Sequence, residues 1–163
     1  MDNSNNQEVM DILNKIDICL MSSYKEDRQI HTRPMAVVRK KDSQEPCLYF
    51  YIKNSSQVEK EIKGKKDVYL SYMDSNSHLY VSFKGQGEIK HDENLKRELW
   101  SPKLKNWFPE GLDDPDLGLV EVQLLKAYIW DSTTGREIKF DNNTQAFPTP
   151  GQQESSTYQE NRQ

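Results

Sequence analysis

Little in this sequence belongs to the chemistries that announce themselves by cysteine, by concentrated charge or by long apolar runs. There are two cysteines in 163 residues, Cys19 and Cys47. They show neither a CxxC spacing nor a histidine close by in sequence, which argues against a zinc site or a redox pair and for buried reduced thiols. The longest apolar stretches resemble 79–83 and cannot span a bilayer as a helix. No apolar segment follows the polar start Met1-Asp2-Asn3-Ser4, so a cytoplasmic protein without an export signal is expected. Charge is balanced as well: 22 Lys plus Arg stand against 26 Asp plus Glu, a net charge of −4 with no long block of either sign. The cationic stripe that a nucleic-acid backbone requires is missing, and neither nucleic acid nor membrane is an expected partner.

What is present is a thin core rich in rings. Hydrophobic residues make up 34% of a chain whose length suits one domain, so an assembly that buries further surface is expected. Aromatic residues at 10% separate the chain from disordered polymers. The exception is 141–163, which has no Ile, Leu, Val or Met and is read as a disordered tail behind a folded domain over 1–140.

Along that domain, Ser4 with Gln7 fits a capping box, and Val9, Met10, Leu13 and Ile16 recur at helical spacing, predicting a helix over 5–16. Strands are expected over 18–22, 30–39 and 48–52 around polar turns. A second capping pattern, Ser56 to Glu59, opens a short helix ending near Gly64, with Glu59 paired to Lys63. Strands over 68–73 and 79–89, a helix over 92–99, a turn over 102–107, a breaker at 108–111 and a strand over 120–130 complete the order. Six strands without a strand-helix-strand rhythm point to an antiparallel, mainly β (α+β) fold or barrel.

Few groups offer chemistry on their own. Gly85-Gln86-Gly87 lacks the third glycine and the following helix of a dinucleotide loop, so a bulge or a close backbone approach is the expected role. Asp113-Asp114-Pro115-Asp116 lacks the pattern of a calcium loop and reads as a turn. His31, His78 and His91 stand without ligand-spaced partners, and no metal site is expected. Arg33 is more informative. Pro34 beside it cannot donate to a ladder, which marks an edge or bulge next to a fixed cation, where an anion can bind; the alternative is an ordinary surface arginine.

Taken in order, Arg33-Pro34-Met35, Leu48-Tyr49-Phe50, the serine-rich helix start at Ser55, Tyr80-Val81-Ser82 ahead of Gly85, Glu98-Leu99-Trp100 to Trp107-Phe108-Pro109-Glu110-Gly111, Asp113-Asp114-Pro115 and Ala127-Tyr128-Ile129-Trp130-Asp131 resemble one family. It is the general-stress-protein branch of the pyridoxamine 5'-phosphate oxidase-like FMN-binding split barrels. The resemblance runs from about Val9 to Asp131, and the Trp-Phe-Pro-Glu-Gly and Asp-Asp-Pro pair is its most specific part.

The resemblance implies a six-stranded antiparallel split β-barrel with short flanking helices. It also implies a homodimer holding FMN, or FAD, in clefts at the dimer interface. It assigns the phosphate to Arg33 and to Ser55 and Gln57 at the helix start, and the flavin ring to the backbone of Pro34, Met35, Phe50, Tyr51 and Ile52. Tyr80 joins the site, and Trp130 resembles a tryptophan that reaches the flavin of the partner chain. A guanidinium and helix N-terminal N–H groups suit a phosphate. Two departures stand out. Gln57 replaces the usual lysine and Ile52 the usual threonine, and Lys53 is the cation nearest in sequence to replace the lost charge. The position of the oxidase's substrate lysine is Val38, so oxidation of vitamin B6 is not expected.

Three functions remain open at this level. The chain is a flavin-dependent oxidoreductase of unknown substrate, a non-catalytic flavin sensor or reservoir, or a dimeric interaction protein without cofactor. One fold hosts all three.

Overall fold

Residues 3–134 and 136–141 are described by a computed structural model. Alternation sets the strands. In β1 (Ile18–Tyr24) Cys19, Met21 and Ser23 are buried while Ile18 and Leu20 stand half exposed. The same two-residue period recurs in β4 (Asp67–Asp74), β5 (Leu79–Lys90) and the second half of β6 (Leu117–Asp131), as expected where one face of a sheet meets a core. With β2 (Ile30–Ala36) and β3 (Cys47–Lys53) these form one antiparallel sheet in the order β2-β1-β4-β5-β6-β3.

The two ends of that order come back together. Past the end of β2, Val38 and Tyr49 of β3 exchange two backbone hydrogen bonds of 2.9 and 2.8 Å. The sheet therefore curls into a barrel closed at a single bridge, the six-stranded split barrel that the family resemblance implies. β7 (Arg136–Asp141) adds a strand that was not expected, pairing with Lys126 to Asp131 of β6 while β3 pairs with the first half of the same strand. Residues 142–163, nearly all of the expected tail, lie outside the described residues.

The barrel interior is filled by Met21, Leu48, Phe50, Val68, Leu70, Phe83, Val120, Val122 and Ile129. α1 (Asn3–Leu13) adds Val9, Met10, Ile12 and Leu13 to this core and runs beside β7. It starts and stops earlier than its spacing predicts. Ser4 lies inside the first turn, and Ile16, still buried, follows the helix in the turn that leads into β1. α2 (Gln57–Gly64) begins as expected, with the Ser56 side chain accepting from the Glu59 N–H, and it packs on β1 and β5.

Two glycines in β5 explain the Gly85-Gln86-Gly87 run. At Gly85 the pairing with β6 slips by one residue, and a Cβ there would lie 2.7 Å from the Gln123 carbonyl oxygen. At Gly87 a Cβ would meet Ile62 of α2 at 3.2 Å. The run provides both a bulge and a close approach, and the approach is what lets α2 lie on the strand.

β3 is apolar on both faces because each face meets a core of this same chain. Leu48, Phe50 and Ile52 point into the barrel. Cys47, Tyr49 and Tyr51 point outward into a second core with Leu99 of α3 (Glu93–Leu99) and Leu104 of a 3-10 helix over Pro102–Asn106. Tyr51 stacks edge-on against Trp100 at 5.4 Å and donates to the Lys96 carbonyl at 2.5 Å. The Trp-rich segment after β5 is thus a lid over β3, and that strand's pattern needs no partner chain to explain it.

Candidate functional site

Hairpin register divides the Arg33-Pro34-Met35 run between two surfaces. Met21 pairs with Arg33 and Cys19 with Met35, so Arg33 and Met35 share the inward face of β1, whereas Pro34 pairs with exposed Leu20 and faces out. Ser23 pairs with His31, which places a second polar pair one step along the inward face. α2 covers this end of the sheet and brings Glu61 onto it.

Glu61, only 3% exposed, is the hub of that cluster. It accepts from the Ser23 hydroxyl at 2.5 Å and from the Arg33 guanidinium, and its other oxygen lies 3.0 Å from His31 Nδ1. Arg33 also donates to Ser23 Oγ at 2.7 Å and approaches His31 Nδ1 at 2.8 Å. That nitrogen therefore stands between a donor and an acceptor: bearing a proton it donates to Glu61, and without one it accepts from Arg33. Burial, the largest influence, pushes the Glu61 carboxyl up; the hydrogen bonds from Ser23 and His31 and the Arg33 charge together more than reverse this and hold it below its ordinary value. Gln57 and Glu61, one helical turn apart, both line a cavity of about 560 Å³ rimmed by Lys25, Arg28, Lys60 and Lys65.

The start of α2 is tied down by the acidic turn before β6. Asp116 accepts from the Ser55 N–H at 2.9 Å and from its hydroxyl at 2.6 Å, and Asp114, buried, accepts from Lys53. The hydrogen bond to Asp114 lifts the Lys53 ammonium above its ordinary value, and the same bond depresses the Asp114 carboxyl. The Asp-Asp-Pro-Asp turn thus serves as a clasp for α2. Among the described residues no three His, Cys, Asp or Glu converge as a metal cluster.

The outward face has the opposite character. Following the register from β1 through β4 and β5 to β6, Leu20, Ser71, Ser82 and Tyr128 lie in one row; Met73, Tyr80 and Trp130 form the next across β4, β5 and β6, and Ile18 lies on the same face of β1. Ile18, Leu20, Met73, Tyr80, Tyr128 and Trp130 are each between 41% and 64% exposed, a concentration that a soluble surface rarely shows on one face. They wall an open trough of about 720 Å³. Cys19 borders it, but burial pushes its thiol up to about 12, as it does that of Cys47, so neither is a nucleophile.

The residues singled out from the sequence therefore fall into five places. Pro34, Tyr80 and Trp130 share the outward face. Arg33 and Met35 lie on the inward face, Arg33 nearer the α2 end of the barrel. Ser55 and Gln57 open α2, Ser55 held by Asp116 and Gln57 on the cavity wall. Phe50 and Ile52 are barrel core, and Tyr51 lies in the second core. Among the described residues Arg33 and Ser55 share no hydrogen-bond partner.

Sequence reasoning missed Ser23, Glu61 and the pairing of His31 with Arg33. The signal was available. Glu61 sits three residues after Val58 and next to Ile62 on the apolar stripe of α2, and a carboxylate on a buried helical face demands a cation. His31 and Arg33, two apart on one strand, must share a face.

The trough fits the flat, mostly apolar ring of a flavin. The groups assigned to its phosphate fit less well, because Arg33, Lys53 and Ser55 each already hold a carboxylate.

A barrel split at one bridge, lidded on β3 and apolar along its outer face, places this chain in the class of small split-barrel proteins. The chain belongs to the pyridoxamine 5'-phosphate oxidase-like family, whose model matches residues 4–151. It is 28% identical over 122 residues to general stress protein 26 of Bacillus subtilis, covering 72% of this chain and 81% of that protein. A further curated relative is longer, and the chain spans 45% of its length. Among solved structures, a protein related to general stress protein 26 from Clostridium acetobutylicum superposes with a TM-score of 0.72 at 20% identity, covering 87% of this chain and 97% of that one. The general stress FMN/FAD binding protein of Xanthomonas citri superposes with a TM-score of 0.64 at 22% identity, covering 80% and 90%.

Proposed function

We propose that this chain is a flavin-binding protein of the general-stress type that acts as a homodimer and as a flavin-dependent oxidoreductase. The observation that carries the reading is the outward face. An open trough with Tyr80, Tyr128, Trp130 and Met73 on its walls offers aromatic and thioether surface to an isoalloxazine, and its rim is too apolar to be left to water. A second copy laid on the same face would cover both, and an obligate interface of this kind buries about 2,000 Å² or more in total. Of the candidate residues, Pro34, Tyr80 and Trp130 are the ones proposed to meet the ring, and FMN, with FAD as the alternative, is the cofactor the family resemblance favours.

A bound flavin supplies the electron transfer; this chain supplies the slot and the exclusion of water. A second reading, a flavin carrier or sensor without turnover, is favoured by the trough itself, which among the described residues is lined by no carboxylate, imidazole or ammonium group. The test is anaerobic mixing of the flavin-loaded protein with NADH or NADPH, followed by an electron acceptor. Bleaching of the visible bands and their return with the acceptor at catalytic rates would support the oxidoreductase. Bands that persist unchanged would support the carrier, and a protein that takes up no flavin would remove both readings.

A further inference from the structure

Three groups placed to hold a phosphate at α2 and its neighbouring strands, Arg33, Lys53 and Ser55, each already hold an anion of the chain itself. Arg33 carries Glu61, Lys53 carries Asp114, and Ser55 gives both its N–H and its hydroxyl to Asp116. We infer that these carboxylates close the anion end of the site, so that this chain selects its flavin by the ring and not by the phosphate, with Glu61 as the specificity-determining residue. The inference rests on the flavin reading above.

Glu61 is decisive because of where it stands. Glu61 lines the cavity beside α2, and its carboxylate, 1% exposed, is held against the Arg33 guanidinium, 13% exposed. A phosphate that reaches Arg33 finds the guanidinium already engaged. It must either share the guanidinium with a like charge or expel a carboxylate held by Ser23, His31 and Arg33 at once. Arg33 does keep one unused donor, its Nε, which is buried and has no partner among the described residues. A single N–H does not make a phosphate seat, which needs two or more converging donors. Asp116 does at Ser55 what Glu61 does at Arg33, occupying the hydroxyl and N–H that would otherwise turn to an anion.

The test compares riboflavin, which has no phosphate, with FMN on flavin-stripped protein, followed by quenching of flavin fluorescence. Wild type should bind the two within about threefold of each other, where an open guanidinium would favour FMN by roughly 10- to 100-fold. Inorganic phosphate should not displace FMN. Glu61→Gln should tighten FMN about 10-fold and leave riboflavin unchanged. Because that substitution leaves Arg33 with a neutral partner and can unfold the protein, Asp116→Asn provides a second variant away from the buried cluster, with an expected gain for FMN of about threefold. FMN preferred by 10-fold or more in wild type would overturn the inference and leave the flavin reading intact, as would a ratio unmoved in both folded variants. Failure of both ligands to bind would overturn the flavin reading and the inference with it.

Discussion

Glu61 is the residue on which most of the local electrostatics turns. It joins β1, β2 and α2 through Ser23, His31 and Arg33, and taking either member of the central pair away leaves a charge in a place poor in water. Glu61→Ala should therefore cost about 3 kcal/mol in urea denaturation, whereas the double replacement Arg33→Met with Glu61→Leu should come within about 1 kcal/mol of wild type. A double variant as unstable as the single one would mean that the pair contributes packing rather than charge compensation. The same cluster sets an acid limit. The Glu61 carboxyl is depressed in the fold below its ordinary value of 4.5, so its contribution is complete above that pH and is lost as pH falls through the lower folded value. Acid titration of wild type should show this loss, and Glu61→Gln should flatten it.

At the scale of elements, the sequence carried most of the strands because their faces differ, and it failed where two faces are alike. β1, β4 and β5 alternate and were placed within about two residues, the usual scatter of element ends. β3 does not alternate, and nothing in periodicity says that α3 and the 3-10 helix after it will fold back over Tyr49 and Tyr51. β7 was missed for the opposite reason: Arg136 to Asp141 is short and mostly polar, and only pairing with the exposed second half of β6 makes it a strand. The glycine run in β5 was legible because glycine within a strand has few other uses. Its energetic weight can be measured. Gly85→Ala puts a methyl against the Gln123 carbonyl and Val122, and backbone cannot give way as a side chain can. A loss of about 1–3 kcal/mol is expected in thermal or urea melts, and an unchanged melt would show that the bulge is looser than the packing around it implies.

For the molecule as a whole, the sequence names candidate residues and does not say where the fold puts them. Arg33, Ser55 and Trp130 were named from their order along the chain, but order does not reveal that Arg33 faces the barrel end, that Ser55 is tied to Asp116 or that Trp130 joins Tyr80 on the outer sheet. Those facts come from register and from which carboxylates the fold delivers. The proposed dimer rests on the outward face. Met73, the most exposed of its large apolar residues at 64%, sits in the row with Tyr80 and Trp130, so Met73→Glu should convert the proposed dimer to monomers without a change in the melting of the barrel core. A dimer that survives this change would place the interface elsewhere.

The central claim is that this outward face binds a flavin ring between two copies of the chain. Size-exclusion chromatography with light scattering, run on wild-type protein with added riboflavin and read at the flavin's visible band, tests it in one experiment. The account predicts a single peak of twice the 19.1 kDa chain mass that carries flavin absorbance at about one ring per chain, and loss of that absorbance when Trp130 is replaced by Asp. A peak at the mass of one chain that stays colourless at saturating riboflavin would contradict it.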